Sequence, residues 1–167
     1  MDEHTIALRL ALTLLLGGLL GLERELRGHA AGLRTHLLVS LGACLFTLVG
    51  LSAGQSLVGV EASGIRADIT RIPSQIVVGI GFLGGGAILR HGTSIHGLTT
   101  AANLWLTASV GLAVGMGFFF GAAITVGFAL LVLVGLRPVE HLLARFRVRQ
   151  GISPDKSESQ EPGPHER

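Results

Sequence analysis

Five stretches of the chain are each about as long as a bilayer is thick and are almost free of charge. A spanning helix needs about 20 mostly apolar residues. The stretches run from about Thr5 to Leu22, Leu37 to Ala53, Pro73 to Leu89, Gly97 to Val114 and Phe118 to Leu136. No soluble domain needs so many. Only 14% of the residues are charged, against about 25% in an average soluble domain. The expected fold is an all-α integral membrane protein, a bundle of about five transmembrane helices over residues 1–140. Residues 141–167 are expected to form a basic and then disordered cytoplasmic tail, because ISPDKSESQEPGPHER has no apolar periodicity.

Arginines set the expected orientation. Arg24, Arg27 and Arg34 follow the first stretch, and Arg137, Arg145, Arg147 and Arg149 follow the last. The positive-inside rule then places the N-terminus outside and the C-terminus in the cytoplasm, with Arg90 to His96 a cytoplasmic loop. Met1-Asp2-Glu3-His4 is not the basic start of a secretory signal, so the first stretch is expected to be retained. Arg9, one turn inside it, is read as snorkelling to the interface.

Gly79-Ile80-Gly81-Phe82-Leu83-Gly84 fits the G-x-G-x-x-G pattern of a nucleotide-binding loop. That pattern needs an acidic ribose partner about 20 residues on, yet no Asp or Glu lies between Asp68 and Glu140. No nucleotide and no cofactor is expected. Small residues four apart let membrane helices approach closely, and the spacing recurs at Gly17/Gly21, Gly81/Gly85, Gly111/Gly115 and Gly117/Gly121. Gly79, Gly81, Gly84, Gly86, Gly111 and Gly115 are therefore expected as helix-packing positions. Gln75, Gly79, Phe82 and Gly86 share one helical face, and partial unwinding at Gly84 to Gly86 is the alternative.

Several polar residues need partners. Ile65, Ile69, Ile72 and Ile76 form a stripe suited to an interfacial helix, which carries Asp68, Arg71 and Gln75 as one polar row. The row is either an exposed pair of little weight or the lining of a polar cleft in which Asp68 is a candidate metal ligand. Glu23 and Arg27 are spaced as an i,i+4 pair, while Arg24 and Arg34 are read as anchors at helix ends. Thr99, Thr100 and Asn103, near Trp105, are expected to hydrogen-bond another helix.

Other chemistries find little footing. One lysine among 13 basic residues leaves no Lys-rich nucleic-acid patch, and Cys44 alone makes neither a disulfide nor a cysteine zinc cluster. His29, His36, His91 and His96 fall on the expected cytoplasmic side without the spacing of a zinc helix. No Ser-His-Asp or Cys-His arrangement can be assembled, so no enzyme is expected.

Glu23-Arg24, Ala31-Gly32-Leu33-Arg34-Thr35-His36, Asp68-x-x-Arg71, Gln75 with Gly79 to Gly84, and Gly97-Leu98-Thr99-Thr100-Ala101-Ala102-x-Leu104-Trp105 occur in that order. Together they resemble the MgtC/SapB family of bacterial inner-membrane proteins over roughly residues 10 to 140. The resemblance implies a five-helix membrane domain and a role in magnesium homeostasis or growth under magnesium limitation, some members being virulence factors. It also implies regulation through membrane partners, an ATP synthase being one candidate. Glu23, Arg24, Arg34, Thr35, Asp68, Arg71, Gln75, Thr99, Thr100 and Trp105 carry over by motif. Two departures stand out. Many members continue into a cytoplasmic domain resembling an ACT fold, where this sequence has a short tail. The family pattern Asp-Pro-x-Arg reads here Asp68-Ile69-Thr70-Arg71, with Pro73 following.

The expectation is thus a non-enzymatic, multi-pass protein of the bacterial inner membrane, surrounded by lipid, homo-oligomeric through its small-residue faces and acting through partners. Its rival is a small magnesium transporter or channel in which Asp68, Gln75 and the Thr99-Thr100 pair line the route.

Overall fold

A computed structural model of the chain describes residues 1–57, 71–92, 94–136 and 146. Five helices follow in order: α1 (Glu3–Leu26), α2 (Leu33–Leu57), α3 (Arg71–Ala87), α4 (Leu98–Met116) and α5 (Phe119–Gly135). At 1.5 Å per residue, α1 and α2 reach beyond 30 Å, long enough to cross a bilayer. Among the described residues three helices, α1, α2 and α4, are long and apolar enough to span; α3 and α5, at 17 residues each, are shorter. The all-α membrane fold read from the sequence is the fold observed.

The helix ends differ from the expected limits for local reasons. The α1 helix runs on through Glu23-Arg24-Glu25-Leu26, because its polar end keeps helical spacing and Glu23 pairs with Arg27. Beyond it Gly28 and His29 donate backbone bonds to Glu25 and Arg24, closing the helix. Glu25 then caps the next helix: its Oε2 accepts from the Leu33 amide at 2.9 Å. At the start of α1 the Thr5 hydroxyl donates to Asp2, which holds that carboxyl below the usual carboxylate range.

The expected cytoplasmic loop near residue 90 is a hairpin. Strands β1 (Leu89–His91) and β2 (Ser94–His96) pair antiparallel, with Arg90 opposite Ile95. Gly117, which its spacing to Gly121 marks as half of a packing pair, is instead the turn between α4 and α5. Its φ of +88° suits glycine, and the amides of Gly117 and Phe118 return to Val114 and Ala113.

Helix α4 packs against all four other helices, and α2 lies against α1, α3 and α4. One apolar cluster joins Leu16 and Leu20 of α1, Cys44 and Leu48 of α2, Val110 and Val114 of α4, and Ala122 and Val126 of α5. A second joins Ala43, Ile80, Leu104 and Ala108, and so fixes α3 to α2 and α4. In lipid, apolar burial gives helices little reason to associate, so close backbone approach must contribute. The sequence supplies it at Ser40 of α2. A Cβ on Gly17 of α1 would overlap the Ser40 hydroxyl, and one on Gly111 of α4 would overlap the Ser40 carbonyl oxygen. One turn on, a Cβ on Gly115 would stand 2.7 Å from Thr47 Cβ.

Candidate functional site

The buried polar side chains gather where α1 ends and α2 and α4 begin. Arg24 is only 3% exposed, and its Nη2 donates to Thr100 Oγ1 of α4 at 2.9 Å. It is not the exposed headgroup anchor expected from its place at a helix end. Beside it Glu23 is buried, with Oε1 2.7 Å from Arg27 Nε. Arg27 also donates to the Leu133 carbonyl at 2.9 Å, which ties α1 to the last turn of α5. The i,i+4 pairing of Glu23 with Arg27 is as the spacing predicts. Glu23 Oε2 is buried and accepts no hydrogen bond among the described residues.

His36 lies one layer deeper with no exposed surface. Its Nδ1 lies 2.8 Å from the Gly32 carbonyl oxygen and its Nε2 3.2 Å from Asn103 Nδ2. A carbonyl can only accept, so Nδ1 carries the proton, and Nε2 then accepts from the Asn103 amide. This bond crosses from α2 to α4. Thr107 donates to the Asn103 carbonyl at 2.8 Å and continues the seam down α4. Asn103 therefore behaves as the sequence suggests for an amide inside a bilayer, and its partner is His36, which the sequence marks only as one of several histidines on the cytoplasmic side. The sequence signal was present: His36 lies four residues from Gly32 and from Ser40, on the α2 face that meets Gly21 of α1.

Other expected site residues are dispersed. Arg34 is exposed and Thr35 half-buried at the start of α2. Thr99 is exposed whereas Thr100 turns inward, so the two do not form a paired lining. Trp105 is half-exposed, facing away from the bundle. Asp68 and the stripe from Ile65 to residue 70 lie outside the described residues; so does the tail from residue 141, apart from Phe146. Arg9 does not simply snorkel: it donates to the Gly115 carbonyl and stacks 5.7 Å from the Phe119 ring centroid. It seals the α4–α5 turn from α1.

Of the expected packing glycines, Gly111 and Gly115 meet α2 as described. A Cβ on Gly84 would meet Ala101 of α4 at an ordinary 3.7 Å. At Gly79, Gly81 and Gly86 a Cβ would meet no atom within 4 Å, so among the described residues these three have no packing partner. Helix α3 is continuous through Gly84 to Gly86, and no unwinding occurs there. It leans on α4 through Gly84 and Ile80, and away from α2.

That lean opens a groove of about 770 Å³ between α2 and α3, floored by Ala108 of α4. Its walls include Leu38 and Phe46 on one side and Gly79 and Leu83 on the other, with Arg71 and Gln75 at one end. Arg71 and Gln75 thus share a row, as their spacing implies. Gln75 stands nine residues, or about 13 Å, along α3 from Gly84, the residue level with the start of α4. It is not brought together with Thr99 or Thr100. Among the described residues no group of three or more His, Cys, Asp or Glu side chains could hold a metal.

Spanning helices joined by inward-facing polar side chains and glycine contacts define a multi-pass integral membrane protein. The chain belongs to the MgtC family, whose model matches residues 10–142. It is 43% identical over 148 residues to Protein MgtC of Brucella abortus, covering 89% of this chain and 58% of that protein. It is 42% identical over 139 residues to the uncharacterized protein slr0014 of Synechocystis, covering 83% of this chain and 55% of the other. The protein of Escherichia coli K12 named "Putative magnesium transporter YhiD" is 41% identical over 112 residues, 67% of this chain and 51% of that one. The chain thus spans a little over half the length of these curated relatives. No solved structure matches it.

Proposed function

We propose that this chain is a non-enzymatic membrane protein of magnesium physiology that acts by contact with other membrane proteins rather than by conducting an ion. Magnesium enters the reading through the family and through the name of the Escherichia coli relative. The observation that carries the choice of mechanism is how the buried polar groups are used. Arg24, Arg27, His36 and Asn103 each bond a neighbouring helix or turn. A conducting route needs polar groups left over to replace an ion's water, and magnesium gives up water reluctantly.

In this reading the α1–α2 turn and the β1–β2 hairpin face the cytoplasm of a bacterial inner membrane, as the arginines direct. A second copy docks along Gly81 and Gly85, whose open backbone face suits close helix approach. An ATP synthase is one candidate partner, on the strength of the family resemblance.

One observation favours the rival, a small magnesium transporter. Among the described residues Glu23 keeps a buried carboxylate oxygen without a hydrogen-bond donor, and a hard cation would satisfy it. Magnesium flux into proteoliposomes separates the two, with wild type, Glu23→Gln, Asp68→Asn and empty vesicles compared. The proposal expects folded wild-type protein to match empty vesicles. Flux that disappears in either variant would make the chain a transporter.

A further inference from the structure

The groove between α2 and α3 has a polarity gradient that the proposed function does not use. Its charged and amide groups, Arg71 and Gln75, belong to the first two turns of α3. From there to Leu83 the walls are aliphatic, aromatic or bare glycine backbone. Arg71 and Leu83 are 12 residues apart, about 18 Å along the helix, close to the ~15 Å depth of one hydrocarbon leaflet. Among the described residues that line the groove, Arg71 is the one charged side chain and no carboxylate faces it.

We propose that this groove holds one anionic phospholipid, its phosphate at Arg71 and Gln75 and an acyl chain along Gly79 toward Leu83. The guanidinium offers a planar fork of donors to phosphate oxygens, and the Gln75 amide adds a further N–H. Below them, no atom of the described residues lies within 4 Å of where a Cβ on Gly79 would stand, which leaves a flat bed for a chain. A bilayer would not leave such a channel empty, since its lining would forfeit dispersion contacts. A helix of a second copy fits less well. Helix pairs in lipid spread small and polar contacts along their length, whereas here polarity is confined to one end. The groove face is also distinct from the Gly81 and Gly85 edge, so lipid and a second copy do not compete.

The test is lipid retention by native mass spectrometry of the full chain, loaded with phosphatidylglycerol or phosphatidylcholine and then stripped with detergent. Wild type is expected to keep one phosphatidylglycerol per chain. Arg71→Gln should lower that preference about fivefold, the factor for ~1 kcal/mol per basic residue at an anionic surface. Gly79→Leu, which fills open space and should keep the helical circular dichroism of wild type, should reduce retention of both lipids. Equal retention by wild type and both variants would overturn the proposal. So would efficient cross-linking of Gly79→Cys to a second copy, which would show protein in the groove.

Discussion

Helices α3 and α4 carry the same small-residue signature, and the fold uses it in opposite ways. On α4, Gly111 and Gly115 let the backbone sit against Ser40 and Thr47 of α2. On α3, a Cβ at Gly79, Gly81 or Gly86 would meet no atom of the described residues within 4 Å, and Phe82 beside them is 85% exposed. The difference lies in what each helix meets. Helix α4 is held on one side by Arg24, through Thr100, and on another by His36, through Asn103, so its register against α1 and α2 is set. Helix α3 has no such cross-bond among the described residues and is fixed by apolar contact alone. A glycine motif therefore reports that close approach is permitted, and the polar partners decide where it occurs.

This contrast can be broken at several strengths. Gly111→Ala should destabilise the chain most, by about 3 kcal/mol, because the added methyl meets a backbone oxygen that cannot swing away. Next comes Thr100→Val, which removes an acceptor from the buried Arg24 guanidinium. About 1.5 kcal/mol is expected, while Thr99→Val, at an exposed position, stays within about 0.5 kcal/mol. Equal effects would deny that the adjacent threonines are divided between inside and outside. Asn103→Leu leaves the His36 Nε2 without its donor and should cost about 1 kcal/mol, since hydrogen bonds between membrane helices are individually weak. Gly84→Ala, at ordinary contact distance from Ala101, is expected to be neutral within about 0.5 kcal/mol. Each is read from unfolding of the purified chain in detergent.

The fold was largely legible in the sequence because the bilayer imposes one length and one secondary structure on apolar segments. All five helices stand where the stretches put them, and the departures, such as the extra turn of α1, come from polar ends that hydropathy undervalues. The hairpin at residues 89–96 was hidden because its strands are three residues each, too short for alternation to register. The site was legible in part. Spacing predicted the Glu23–Arg27 pair, and the depth of Asn103 predicted a cross-helix bond. Which residue answered Asn103 was not legible, since His36 and Asn103 are 67 positions apart and only packing brings them together. The role of Arg24 is hidden for the same reason: an arginine at a helix end looks like an anchor unless the hydroxyl that meets it on another helix is known. The glycines of α3 illustrate the converse, because spacing alone cannot tell a face covered within the chain from one left for lipid or another chain.

Helices α1, α2 and α4 form a glycine-packed core, and α3 rests against it with Gly79, Gly81 and Gly86 uncovered among the described residues. The most direct measurement is the paired unfolding free energy of Gly111→Ala and Gly81→Ala, at a dilution that keeps one chain per micelle. The account predicts a loss of about 3 kcal/mol for Gly111→Ala and a change of less than about 1 kcal/mol for Gly81→Ala. Similar losses for both would show that the α3 glycines are also buried against the chain, and would contradict it.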